Sequence, residues 1–370
     1  ILQTKNDFIM ILVVSDKFKG TLSSEEAGNA IASGLFPLEQ ERDCSIVVEA
    51  MADGGEGTAG ALGGILVDGV PGLWRLPGGD MIVESAACIG RASANQMCSP
   101  LSRRSSRAFG DAVIRALRMS APHGRVFAAI GGTSTADGGA GMLQAFGYTF
   151  YGRDGLIEED ITPEIMSDRV VRIEVPAASV IEELRMRLCG LSDVRAALCD
   201  TGRLSALDFL EQKGLTDGDE KAVILRAFLR MREMLVPDGE ESAFDGAGGG
   251  VGFALASVAG VSVVSGAEYV LARILSRRKH PRLLVTGEGS VDRQTAGGKV
   301  VETVNAAGRR DGIPVLTVGG RVCGHVQYQF VVAAGKGDEP EDAEDAARRV
   351  REAVRAELPR IRSLMDTAKG

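Results

Sequence analysis

Ile9 to Val14 is an unbroken apolar run rich in β-branched residues, the pattern of a strand covered on both faces. The polar segment Ser15-Asp16-Lys17-Phe18-Lys19-Gly20 follows it. Ser23 and Glu26 then carry the spacing of a capping box, which predicts a helix running to about Leu35. A second apolar run predicts a strand over 45–51, followed by a glycine-rich acidic turn and a helix near 57–66. Alternation of strand, loop and helix is the grammar of βαβ units and predicts a parallel sheet. Past residue 66 the pattern becomes irregular, with Gly-Val-Pro-Gly and Leu-Pro-Gly-Gly turns around Trp74 and polar loops through 99–107. It resumes near 282 with a strand over 282–286, a helix over 296–309, and strands over 314–318 and 329–333. A long charged helix begins at about 340, and its mixed Glu, Arg and Ala residues predict a solvated amphipathic cover.

This distribution predicts an α/β protein of two α/β domains. A Rossmann-like parallel-sheet domain is expected from both chain ends, residues 10–66 and 275–370, with a second α/β domain, residues 67–274, inserted between them. The length of 370 residues suits two domains. Met10 reads as a natural start, which makes residues 1–9 an upstream extension or vector remnant. The span from Gly246 to Ala267 carries no charge and is long enough to suggest a membrane crossing. Its seven glycines and three serines point instead to a buried glycine-rich loop leading into a core helix.

Charge and composition narrow the classes. A net charge of −8 is no nucleic-acid footprint, although a local basic pocket can still receive an anionic substrate. Six cysteines are scattered without a CxxC pair, which fits reduced thiols and a cytoplasmic setting. Three histidines lack zinc-ligand spacing. The 48 glycines gather at strand ends, so loop chemistry rather than low complexity accounts for them. The expected partners are small molecules, with no nucleic acid and no membrane; a homo-oligomer is compatible with the composition.

Three of these strand-end loops hold glycines beside carboxylates and hydroxyls. Met51-Ala-Asp-Gly-Gly-Glu-Gly-Thr58 places Asp53 and Glu56 around Gly54 and Gly55. Gly131-Gly-Thr-Ser-Thr-Ala-Asp-Gly-Gly-Ala-Gly141 follows the strand-like run Val126 to Ile130 and holds Thr133, Ser134, Asp137, Gly138 and Gly139. Thr286-Gly-Glu-Gly-Ser-Val-Asp292 holds Gly287, Glu288 and Asp292, and Lys299 stands at the next helix start. Bare backbone N–H groups receive phosphate, while carboxylates hold Mg²⁺ or take a proton. Such loops suggest a polar-ligand site at the carboxyl edge of a parallel sheet. Lys19 and Lys299 are placed to meet anions, Asp16 closes the first strand, and each residue also suits an ordinary turn or cap. No Walker A loop, protein-kinase signature or dinucleotide fingerprint is present. The residues alone reach a phosphate- or acid-handling α/β enzyme.

From about Met10 to about Ile361 the chain resembles the type I glycerate kinase family. The resemblance rests on Asp16-Lys17-Phe18-Lys19-Gly20, on the 51–58 and 130–145 segments, on Gly246-Ala-Gly248 with its glycine-rich sequel, and on Thr286 to Thr295. It implies ATP-dependent phosphorylation of D-glycerate, typically at the 2-hydroxyl, with ATP and Mg²⁺, in the cleft between two α/β domains. In that scheme Asp16 or Asp137 is the base orienting the acceptor hydroxyl. Lys19 and Lys299 neutralise phosphate or carboxylate, and Asp53, Glu56, Glu288 and Asp292 serve metal or substrate. Several positions depart from the family pattern. Lys17 replaces a serine, the Asn-Pro-Leu expected after Cys199-Asp200 is missing, Ser105 to Asp111 replaces a usual glycine–threonine loop, and Gly297-Gly298-Lys299 replaces His-Gly-Lys. A catalytically impaired ligand binder, a kinase for a related hydroxy acid and a metal-dependent phosphatase are the alternatives.

Overall fold

Ile9–Val13 forms a buried strand paired in parallel with Cys44–Val48 on one side and Leu283–Val291 on the other. The computed structural model describes residues 9–18, 20–41, 44–93, 99–200, 202–215, 217–278, 280–291, 300–323, 328–335, 340 and 342–367. Lys19, Asp292 and Lys299 lie outside them. The sheet is completed by Val315–Val322 and Phe330–Ala333, also parallel. Numbered along the chain, the five strands stand in the order 2-1-3-4-5. That is a doubly wound sheet, and its strand order reverses between Ile9–Val13 and Leu283–Val291. The capping box is present: the Ser23 hydroxyl accepts from Glu26 N, the Glu26 carboxylate accepts from Ser23 N, and the helix runs Ser24–Leu35. Ala343–Ala356 covers the sheet with Ala346, Val350 and Val354 buried, capped by the Asp342 carboxylate on Asp345 N.

The chain forms two α/β units, one from Ile1–Ala52 with Ala267–Gly370 and one from Asp53–Gly266. The second holds a six-stranded sheet, in the order Ser262–Val264, Leu188–Leu191, Val126–Ala129, Met81–Glu84, Leu73–Arg75, Ile65–Leu66. Its first four strands are parallel and its last two antiparallel. A small antiparallel sheet of Gly155–Leu156, Thr149–Gly152 and Arg172–Glu174 flanks it.

Two expectations are corrected. The helix expected near 57–66 is a single turn, Thr58–Ala61, because Gly63 takes a left-handed φ of 75° and the chain turns into the strand Ile65–Leu66. The acidic loop and this turn group with the inserted unit: Gly54 O accepts from Gly131 N, and the Glu84 carboxylate accepts from Ala59 N. The irregular stretch past 66 contains the strands Leu73–Arg75 and Met81–Glu84, of three and four residues, too short to show a periodicity. The charge-free run from Gly246 folds as expected, through tight turns into a buried helical segment, Val251–Val258, that ends in a π turn. Among the described residues no helix is long and apolar enough to cross a membrane.

Candidate active site

In the unit built from the chain ends, the reversal of strand order places two expected loops side by side. Asp16 N and the Ser15 hydroxyl both donate to Gly287 O, at 2.9 and 3.1 Å. Val14 N continues the ladder to Val285 O. Asp16, Gly287 and Glu288 are thereby held at adjacent strand ends, with Glu288 buried and Asp16 half-buried. The Asp16 carboxylate accepts from Lys17 N at 2.8 Å.

In the inserted unit, parallel strands deliver Glu84 and Ile130 to one sheet edge. A cleft of about 1200 Å³ opens there, lined on its polar side by Glu56, Glu84, Arg91, Gly131 to Thr133, Lys213 and Gly248-Gly249. Two of the expected loops touch here, backbone against backbone. A Cβ on Gly131 would lie 2.6 Å from Gly55 Cα, so this contact admits only glycine. Gly131→Ala is expected to part the loops and cost about 1–3 kcal/mol, read as a lowered thermal midpoint; an unchanged midpoint would show that the contact is dispensable.

The loop after Val126–Ala129 is anchored by groups remote in sequence. Lys213 Nζ donates to Thr133 O at 2.7 Å and to Thr133 Oγ1 at 2.5 Å. Arg104 Nη1 donates to Ser134 O, Ser134 Oγ and Lys213 O at 3.1, 2.8 and 2.9 Å. Arg91 reaches Gln212 O. The stem of Lys213 is partly exposed, but its ammonium end is enclosed; burial pushes it down to about 7, against an opposing pull from Asp137. Burial likewise lowers Arg104.

Asp137 is fully buried. Its Oδ2 accepts from Ser106 N, Ser106 Oγ and Gly141 N at 2.7, 2.7 and 3.1 Å, and its Oδ1 from Gly139 N at 3.1 Å. Burial raises its pKa and these bonds oppose the rise. Four donors surround this carboxylate, so it clamps the loop and has no face for an acceptor hydroxyl. Gly138 and Gly139 are also corrected as phosphate ligands. They pack against Met231 and Ala254, and their amides are committed to Gly249 O and Asp137 Oδ1. Of the expected hydroxyls Thr133 lines the cleft, while Ser134 is buried under Arg104.

The acidic turn keeps Asp53 half-buried and Glu56 exposed. Glu84, on the neighbouring strand end, is buried; burial raises its pKa, the Ala59 amide opposes this, and the Glu56 carboxylate adds to it. Among the described residues no three His, Cys, Asp or Glu side chains cluster as metal ligands. The five described cysteines are free thiols, and burial pushes Cys88 up to about 12, which leaves it inert. Sequence reasoning missed Arg91, Arg104, Lys213, Glu84 and Ser106. Lys213 beside Gly214 was the one local hint, a cation at a glycine turn like Lys19.

The model of the glycerate kinase family matches residues 11–366. A glycerate kinase of Bacillus cereus is 29% identical over 344 residues, covering 84% of this chain and 85% of the relative. A glycerate 2-kinase of Escherichia coli is 28% identical over 354 residues, covering 84% of each. Among solved structures, a Salmonella typhimurium LT2 protein provisionally named glycerate kinase 2 superposes with a TM-score of 0.75. It is 24% identical, and the match covers 96% of this chain and 99% of the other.

Proposed function

The chain belongs to the glycerate kinase family and acts as an ATP-dependent glycerate kinase; we propose that it passes the γ-phosphoryl group in line to the 2-hydroxyl of D-glycerate, giving 2-phosphoglycerate. The observation that carries this reading is the cleft of the inserted unit, which cations, carboxylates and glycine backbone line together. Phosphoryl transfer asks for little covalent chemistry from protein and much positioning and charge neutralisation. Lys213 and Arg91 supply cations at the glycine turn, and the Asp137 clamp fixes that turn's shape. In the chain-end unit Asp16 is the carboxylate suited to orient an acceptor hydroxyl, Gly287 and Glu288 forming the adjoining strand end.

Burial is the main cause that raises the Glu84 pKa, and the Glu56 carboxylate adds to it. Asp53 and Glu56, on the acidic turn, are hard oxygen donors of the kind that suits Mg²⁺, an ion that takes one or two carboxylates together with phosphate oxygens and water. Bound there, magnesium supplies neutralising charge to the phosphates.

The test is a coupled assay of ADP release from Mg-ATP with and without D-glycerate, using Lys19→Ala protein to report contaminating kinases. Glycerate-dependent release lost in the variant is expected, with NMR placing the phosphate on carbon 2. A folded protein that releases no ADP in response to glycerate would overturn the reading.

A further inference from the structure

Beyond its charged wall, the cleft of the inserted unit has an apolar end that glycerate, a small polar acid, gives no reason for. Leu66, Val67, Val70, Pro71 and Trp74 line it, with the one carboxylate of Asp68 among them. Leu66 and Trp74 are direct cross-strand partners of the Ile65–Leu66 and Leu73–Arg75 hairpin, so their side chains stand on one face. Leu66 is 52% exposed, an unusual state for a large apolar residue inside a cleft. The indole Nε1 of Trp74 is buried with no hydrogen-bond partner. A buried orphan donor in a native fold calls for an explanation, and a ligand acceptor that arrives with an apolar face is one.

A purine base has both attributes: a flat face to lie against Leu66 and Val70, and ring nitrogens that accept a hydrogen bond from the in-plane N–H at the indole edge. The same cleft leads from this apolar end to Arg91, Lys213 and the glycine backbone at Gly131 to Thr133, the chemistry a phosphate chain requires. Its volume of about 1200 Å³ exceeds what glycerate alone would fill. On the strength of the kinase reading, we propose that the inserted unit binds ATP through this cleft, with the adenine at the Trp74 end and the phosphates toward Lys213.

The chain contains one tryptophan, so its tryptophan emission, excited selectively over the four tyrosines, reports on this end of the cleft alone. Adenosine and ATP are expected to change Trp74 emission saturably, and inorganic tripolyphosphate to leave it unchanged. Trp74→Ala should raise KM for ATP about tenfold while KM for glycerate holds, and Trp74→Phe, which keeps a ring, should lose less. Leu66→Asp, at an exposed edge position, replaces the alanine variant should that one fail to fold, with the same expected direction. Turnover without any fluorescence response to adenosine or ATP, and with KM for ATP unmoved by the variants, would overturn the placement and leave the kinase reading standing. A saturable response without turnover would do the reverse.

Discussion

Asp137→Ala is expected to lower unfolding stability by roughly 3–5 kcal/mol, since it strands several buried donors at once. Ser106 N, Ser106 Oγ, Gly139 N and Gly141 N all point at this carboxylate, which is fully buried. Asp137→Asn keeps the shape but turns an amide NH₂ toward N–H donors, so a loss of about half that size is expected. Urea denaturation measures both. An alanine variant with the wild-type midpoint would show that the loop has another clamp. Because the loop also carries Thr133 into the cleft, activity should fall with stability even under conditions where the variant remains folded.

Lys213→Met is expected to lower kcat/KM by at least about a hundredfold, the scale seen when a charge that stabilises a transferring group is deleted. The pH profile separates this from a merely structural role. Burial brings the Lys213 ammonium to about 7. As pH rises through that value the cation is lost, and the affinity for an anionic ligand at the glycine turn should fall; Lys213→Arg, always protonated, should flatten the decline. The effect on stability has the opposite sign. Between about 7 and the ordinary lysine value of 10.5, the unfolded chain holds a proton that the folded chain has released, so the contribution of this group to stability rises with pH. A variant that shifts the melting temperature but leaves the kcat/KM profile against pH unchanged would reduce Lys213 to a loop anchor.

What could be read from the chain was local. The Ser23–Glu26 capping box works across three residues, and the buried strand Ile9–Val13 announces itself as a continuous apolar run, so both appear where the sequence puts them. Glycine pairs read as loop material, yet Gly63-Gly64 also stops a helix after one turn. The polar site was legible as loops and not as contacts. Asp137 was visible as a carboxylate in a glycine turn, but its role depends on Ser106, a partner 31 positions away. Lys213 holds Thr133 from 80 positions away, and nothing within either segment encodes the other. Short strands such as Leu73–Arg75 and Met81–Glu84 take their register from neighbours rather than from their own alternation.

The central pairing of the chain-end sheet joins Ile11 to Leu283. During synthesis from the amino terminus, the first two strands emerge long before the three that complete their sheet, while the whole of Asp53–Gly266 is finished in the interval. The inserted unit can therefore collapse on its own schedule, whereas Ile9–Val13 must wait with an apolar edge exposed until the carboxyl-terminal third arrives. During that wait the first two strands keep an unpaired edge, the backbone surface on which strands of other chains can add.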